Sequence, residues 1–264
     1  MSLTFCSFSS GSSGNCYLVR SSDSAVLVDA GISGRKIFQS LNETEINPED
    51  VNAVLISHEH SDHVKSLRTI AKKMPQVRAY ANSGTWKNIS PLVEEKQREV
   101  FKTGDTFFIN DIKVKSFLLS HDAEEPVGFS FYKKDKQISI LTDTGFLSSE
   151  VYDEIKGADI LIIEANHDVE MLRIGKYPWF LKQRILGKTG HLSNVDAADA
   201  ICKIISEKQK YRHVLLAHLS RENNFPEMAY QTIKNLLEEK NYFIDKNIGL
   251  NIITRDEMSA LYTV

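Results

Sequence analysis

The sequence predicts an α/β (α+β) chain with αββα layering: two sheets packed face to face, each covered by helices. Three observations predict it. The first half is rich in short strand patterns, separated by Ser-, Gly- and Asp-rich turns. From residue 159 onward strands and helices alternate, as βα units do. No internal repeat, low-complexity tract or Pro/Gly/Ser linker divides the 264 residues, so a single domain over 1–264 is expected. In order, Leu3–Phe8, Cys16–Arg20 and Ala25–Asp29 read as strands. Ser33–Leu41 reads as a helix with a serine available as N-cap. Ala53–Ser57 (AVLIS) is a short apolar run, hence a buried strand. Val64–Met74 has apolar side chains at 64, 67, 70, 71 and 74, the helical spacing. Val77–Ala81, Thr106–Ile109, Ile112–Leu119, Val127–Tyr132 and Gln137–Thr142 follow as strands. Asp159–Glu164 (DILIIE) is another buried strand, and Ser193–Ile205 a helix opened by a Ser193/Asp196 capping box. His213–His218 is a strand, Pro226–Leu237 a helix with proline in its first turn, and Gly249–Ile253 a last strand.

Composition excludes several classes. The chain is 42% hydrophobic and 25% charged, an ordinary globular balance with enough apolar material for a core. No apolar run approaches the roughly 18 residues of a membrane span, and residues 1–19 lack the basic start and apolar stretch of a secretory signal. Cys6, Cys16 and Cys202 are too few and scattered for a disulfide framework, which fits a cytoplasmic location. Net charge is −3, from 32 basic and 35 acidic residues, so a polyanion would have to be held by a local patch or by metal.

The segment His58-Glu59-His60-Ser61-Asp62-His63 carries the chemistry. It places three imidazoles and the Asp62 carboxylate directly after a buried strand. Histidine nitrogen and carboxylate oxygen suit zinc, manganese or iron. In an extended segment His58 and His60 point the same way and can share one ion; Asp62 and His63, at the turn into a helix, can address a second. His121, Asp143 and His218 each stand at the end of an apolar strand (FLLSH, ISILTD, VLLAH), so loops at one sheet edge could bring them to the same place. Asp143 is the natural bridging oxygen ligand.

HxHxDH, then a lone His, an Asp and a final His, each at a strand end, resembles the metallo-β-lactamase superfamily, from VLVDAG to AHLS. The resemblance implies the αββα fold and a dinuclear site: His58, His60 and His121 on one divalent metal ion, Asp62, His63 and His218 on the other, with Asp143 and a hydroxide between them. Asp29 matches a supporting acidic position. The antibiotic-hydrolysing branch commonly has Cys where this chain has Asp143. SSGSSGNCYLV, SHEHSDHVKSL, SHDAEEPVGF, LTDTG, EANHDVEMLRIGKYPW, GHLSN and AHLSRENN together are similar to the YycJ (WalJ) hydrolases, which implies hydrolysis of double-stranded DNA from an end.

Phosphodiester hydrolysis also needs a proton for the departing alkoxide. Glu164, ending DILIIE, and His191, in GHLSN, are placed to supply an acid relay; the plainer alternative is that Glu164 caps a loop and His191 orders the next helix. Asp62, Glu164 and His191 are thus the candidate catalytic residues. His167 is a candidate supporting partner of Glu164 or substrate contact. Residues 170–190 interleave Arg173, Lys176, Lys182, Arg184 and Lys188 with Tyr177, Trp179 and Phe180. That is what phosphate contacts plus base stacking require, and equally what a solvated helix with a buried aromatic face looks like. Arg173, Lys176, Trp179, Arg184, Lys188 and Asn194 are the candidate substrate contacts. The Ser9–Asn15 loop could offer amides to phosphate or be a plain tight turn. The leading expectation is a dinuclear DNA exonuclease, with DNA as substrate and no protein partner readable. The alternatives are a small-molecule phosphodiesterase of cyclic-nucleotide type, a thioester or lactone hydrolase, and a non-catalytic metal-bound module.

Overall fold

The computed structural model describes residues 2–264; of the expected domain only residue 1 lies outside them. The first sheet is built by β1 (Thr4–Ser9), β2 (Cys16–Arg20), β3 (Ala25–Val28), β4 (Val51–Leu55), β5 (Arg78–Asn82) and β6 (Arg98–Phe101). A short strand from the far end of the chain, β14 (Tyr262–Thr263), completes it by pairing antiparallel with β1. The order across this sheet is β14-β1-β2-β3-β4-β5-β6. The second sheet contains β7 (Thr106–Ile109), β8 (Ile112–Leu118), β9 (Val127–Lys133), β10 (Lys136–Leu141), β11 (Ile160–Glu164), β12 (His213–Ala217) and β13 (Gly249–Ile252), in the order β13-β12-β11-β10-β9-β8-β7. In each sheet one half is antiparallel and the other parallel, β3 to β6 in the first and β10 to β13 in the second.

The helices are α1 (Gly34–Glu43), α2 (Ser61–Val64), α3 (Leu67–Lys73), α4 (Ser83–Ile89), α5 (Ser149–Ile155), α6 (Val169–Ile174), α7 (Trp179–Leu186), α8 (Asn194–Glu207) and α9 (Pro226–Glu239). Strand alternation sorts the core into three apolar layers. Ile160 and Ile162 of β11 face the other sheet, together with Phe5, Val26, Leu55, Phe129 and Ile140. Leu161 and Ile163 face outward, onto Ile201 and Ile205 of α8 and Ile233 and Leu237 of α9. On the far side Leu27 and Val54 meet Ile37 and Leu41 of α1 and Ile70 of α3. Helices, sheet, sheet and helices therefore stack as four layers, as the patterning predicts.

Some elements differ from expectation. The helix expected over 64–74 is two helices, interrupted at Lys65–Ser66, where the Ser66 amide turns to the Ala30 carbonyl (2.8 Å) and its hydroxyl to Ile32 O (2.6 Å). β6, β14, α4 and α5 have no counterpart in the sequence reading, being two to seven residues long with little periodicity to detect. The capping box at Ser193 and Asp196 is present.

One glycine decides how close the His58–His63 segment can sit. A Cβ on Gly31 would lie 1.6 Å from the Asp62 carbonyl oxygen, and the Asn15 amide donates to that same oxygen (2.8 Å). Gly31→Ala is expected to displace the Asp62 backbone and lower stability by about 1–3 kcal/mol. A urea titration, with metal content measured in parallel, checks this.

Candidate metal centre

The chemistry-bearing residues gather where strands end. β3 leads into Asp29, β4 into Ser57–His63, β8 into His121, β10 into Asp143 and β12 into His218, while Glu164 is the last residue of β11. Loops beyond the carboxyl ends of parallel strands are where α/β sheets build sites. Asp29, Asp143 and His218 all have positive φ (62°, 64° and 54°). This left-handed geometry is uncommon outside glycine and costs of order 1–3 kcal/mol per residue. Here it turns the chain sharply off each strand.

The donors form overlapping clusters. One ligand atom from each of His58, His60 and His121 lies within 4.8 Å of the others, and the same holds for Asp62, His63 and His218. Asp143 stands between them: Oδ2 is 3.3 Å from His63 Nε2, and Oδ1 is 3.4 Å from His218 Nε2 and 3.9 Å from His121 Nε2.

The outer nitrogen of four imidazoles is occupied. His63 Nδ1 donates to Asp29 Oδ2 (2.8 Å), His218 Nδ1 meets Glu164 Oε1 (3.0 Å), His121 Nδ1 faces the Gly190 carbonyl (3.3 Å), and His58 Nδ1 meets the Ser57 hydroxyl (3.0 Å). Each ring is thereby oriented with Nε2 toward the centre, where His58 Nε2 lies 3.1 Å from His60 Nδ1 and His63 Nε2 lies 3.0 Å from Asn15 Nδ2; partners on the outer nitrogen orient metal-bound histidines in this way. Asp143 Oδ2 and His218 Nε2 are buried without any hydrogen bond. Buried polar atoms are seldom left so, and an N/O donor set of this kind fits divalent cations.

Asp29 fixes Ser57 as well, accepting from its amide (2.9 Å) and hydroxyl (2.9 Å). Asp29→Asn is therefore expected to weaken metal affinity by roughly 10–100-fold while leaving the fold intact, read by competition with a chromogenic chelator.

The electrostatics have one theme, carboxylate charge balanced by imidazolium. Burial opposes the charged form of His218, but Asp143, Asp62 and Glu164 outweigh it and push the ring up to about 10. Burial likewise opposes a charged His63, and Asp29 and Asp143 raise it well above the usual histidine range. Burial works against ionised Glu164 too, yet His191 and His218 hold it down at about 2. For His58 burial and the neighbouring His63 act together and lower it well below its ordinary value. A cation entering this cluster would replace protons with its own charge.

Glu164 Oε1 also takes His191 Nδ1 at 2.7 Å, so one carboxylate orients both His191 and His218; its Oε2 accepts from the Thr144 amide (3.0 Å). His191, Arg184, Tyr177, Asp122 and Ser220 line a cleft of ≈180 Å³ that also contains His218.

The remaining candidates are placed differently. His167 is buried, and neither ring nitrogen has a hydrogen-bond partner; burial lowers it to about 4, and it reaches Glu164 through no hydrogen bond. Asn194 is interior: its side chain exchanges hydrogen bonds with Asn224 (3.2 and 2.8 Å). Arg184 pairs with Asp122, and Arg173 with Glu170 (2.7 Å). Lys182 is buried on the Arg173 carbonyl (2.7 Å). Lys176 and Lys188 are exposed, and so is Trp179, at 67%. The aromatic face is thus not buried, contrary to the plainer alternative for residues 170–190.

In the Ser9–Asn15 loop the amides of Gly11, Gly14 and Asn15 are used internally, on Asn15 Oδ1, Gly11 O and Asp62 O, as in a tight turn. Sequence reasoning missed the Asn15 side chain. It is fully buried, with Nδ2 3.0 Å from His63 Nε2, and no spacing announces it.

Residues 24–218 match the family described as Beta-lactamase superfamily domain. The chain belongs to the metallo-β-lactamase superfamily. Among its members, the chain is 42% identical over 245 residues to "Exodeoxyribonuclease YycJ" of Bacillus anthracis, covering 92% of each chain. It is 44% identical over 252 residues to "Exodeoxyribonuclease WalJ" of Streptococcus pneumoniae serotype 2, covering 94% of this chain and 91% of that one. The metallo-β-lactamase fold protein YhfI from Bacillus subtilis superposes over the whole of both chains with a TM-score of 0.75 at 16% identity, a likeness of fold.

Proposed function

We propose that this chain is a metal-dependent DNA exonuclease, built as one domain and acting in the cytoplasm on phosphodiester bonds. The observation that carries the reading is the position of Asp143 between two imidazole clusters, with the Glu164–His191 pair beside them. The names of the two relatives at 42% and 44% identity support DNA as substrate. The three unpaired, buried cysteines suit a reducing compartment.

His58, His60 and His121 would hold one divalent cation and Asp62, His63 and His218 a second, with Asp143 shared; zinc, manganese and iron all suit these donors. Cations bound there supply Lewis acidity toward phosphoryl oxygens and lower the pKa of water. The chain's own residues do the rest. Asp29 and Glu164 fix the tautomers of His63 and His218. Glu164 holds His191 by Nδ1, so that Nε2 can give a proton to the departing sugar oxygen. Arg184 and Lys188 would contact phosphates further along the strand, with Trp179 offering a face to a base.

Arg184→Ala combined with Lys188→Ala is expected to raise KM for DNA and to reduce the salt slope by about 2. Unchanged KM and slope would remove that segment from the substrate path.

The deciding experiment uses end-labelled duplex DNA, metal-free protein reloaded with manganese or zinc, and bis-nitrophenyl phosphate as control. Progressive shortening from the ends is the expected result. Cleavage of the small ester with intact DNA would make the protein a small-molecule phosphodiesterase.

A further inference from the structure

A second cavity, of ≈400 Å³, adjoins the cleft, and Ser220 lines both. It lies between the segment after His218 and residues 253–257, which follow β13. It begins close to the metal centre: Ser10, on its wall, accepts a hydrogen bond from the His218 amide (2.9 Å).

Its lining has the parts a nucleotide needs. Phe225 presents a ring that is 43% exposed. Arg221 is exposed and, among the described residues, takes part in no hydrogen bond or ion pair. Arg255 lines the cavity with its guanidinium, donating from Nη2 to the Leu219 carbonyl (2.7 Å), while its Nε is buried beside Gly11. The first turn of α9 opens at Phe225 and Pro226 with no side chain capping it; the Phe225 amide is bonded to Asn224 Oδ1 (3.0 Å), and Glu227 places a carboxylate in the same turn. Guanidinium groups suit phosphate, and an exposed ring suits a base. Asp256 and Glu257 line the cavity too. Two carboxylates against two guanidiniums leave little long-range attraction, so a ligand must be held by stacking and short contacts together.

We propose that this cavity is a nucleotide subsite, seating the terminal nucleotide of a DNA strand with its base on Phe225 and its phosphate toward Arg221 and Arg255. The assignment rests on the DNA-hydrolysing function proposed above and adds a reason for action at an end. The cavity, ≈400 Å³, is at the small end of the roughly 300–1,000 Å³ typical of small-ligand sites, a size suited to one nucleotide.

The test measures binding of thymidine 5′-monophosphate to metal-loaded protein by calorimetry, with inorganic phosphate alongside. Phe225→Ala is expected to weaken the nucleotide roughly 10-fold, with Phe225→Tyr restoring it, and Arg221→Ala to weaken it as well. Melting temperature and metal content of each variant are compared with wild type. Phosphate should bind more weakly than the nucleotide and be insensitive to Phe225. Nucleotide affinity unchanged in Phe225→Ala and Arg221→Ala, or phosphate binding as tightly as the nucleotide, overturns the subsite. Because binding is read without DNA, the two proposals fail separately: intact DNA with the expected binding pattern rejects the nuclease function, and degraded DNA with unchanged binding rejects the subsite.

Discussion

Asp143→Asn is expected to lose bound metal and activity together. The substitution keeps size and shape, and asparagine tolerates the left-handed backbone at this position as well as aspartate does. What it removes is the charge that faces His63 Nε2 at 3.3 Å and His218 Nε2 at 3.4 Å. Loss of a mere orienting partner of a metal ligand costs about 10–100-fold in affinity, so a shared ligand should cost more than about 100-fold. Metal content after gel filtration and the rate of DNA shortening are the two readouts. Full metal content with a normal rate would remove Asp143 from the ligand set.

His191→Ala is expected to separate what Asp143→Asn joins. The ring sits at the cleft, held by Glu164 at 2.7 Å, and its Nδ1 is 3.8 Å from Asp143. If it protonates the leaving oxygen, its removal should keep metal content and lower kcat on DNA by about 10²–10⁴-fold. The same variant should hydrolyse bis-nitrophenyl phosphate almost as fast as wild type, since nitrophenolate departs without a proton. His191 also falls within 4.8 Å of Asp143, Glu164 and His218 through its donor atom. An emptied metal site in His191→Ala would therefore make it a ligand rather than an acid.

Much of the fold was legible because long strands and helices carry strong periodicity. DILIIE and the capped helix after Ser193 are read from pattern alone and appear as β11 and α8. β6, β14, α4 and α5 escaped because elements of two to seven residues contain at most one or two periods. The donors were legible because HxHxDH is dense and each remaining candidate ends an apolar strand. Asn15 was not, since it acts through tertiary contact across 48 positions. The setting of Asn194, expected as a substrate contact, was not legible either: its side chain turns inward at the start of α8, to Asn224, 30 positions away.

The ion pairs around the centre bear on the order of assembly. In small zinc domains the ligands lie close together in the chain and the metal drives folding. Here they run from His58 to His218 and meet only once both sheets are docked. Asp29 with His63, and Glu164 with His218, already neutralise one another across 2.8 and 3.0 Å. Those contacts use the outer Nδ1 atoms, and a bound cation would leave them in place; the inner Nε2 atoms of His63 and His218 face Asp143 at 3.3 and 3.4 Å, and it is there that a cation would exchange with protons.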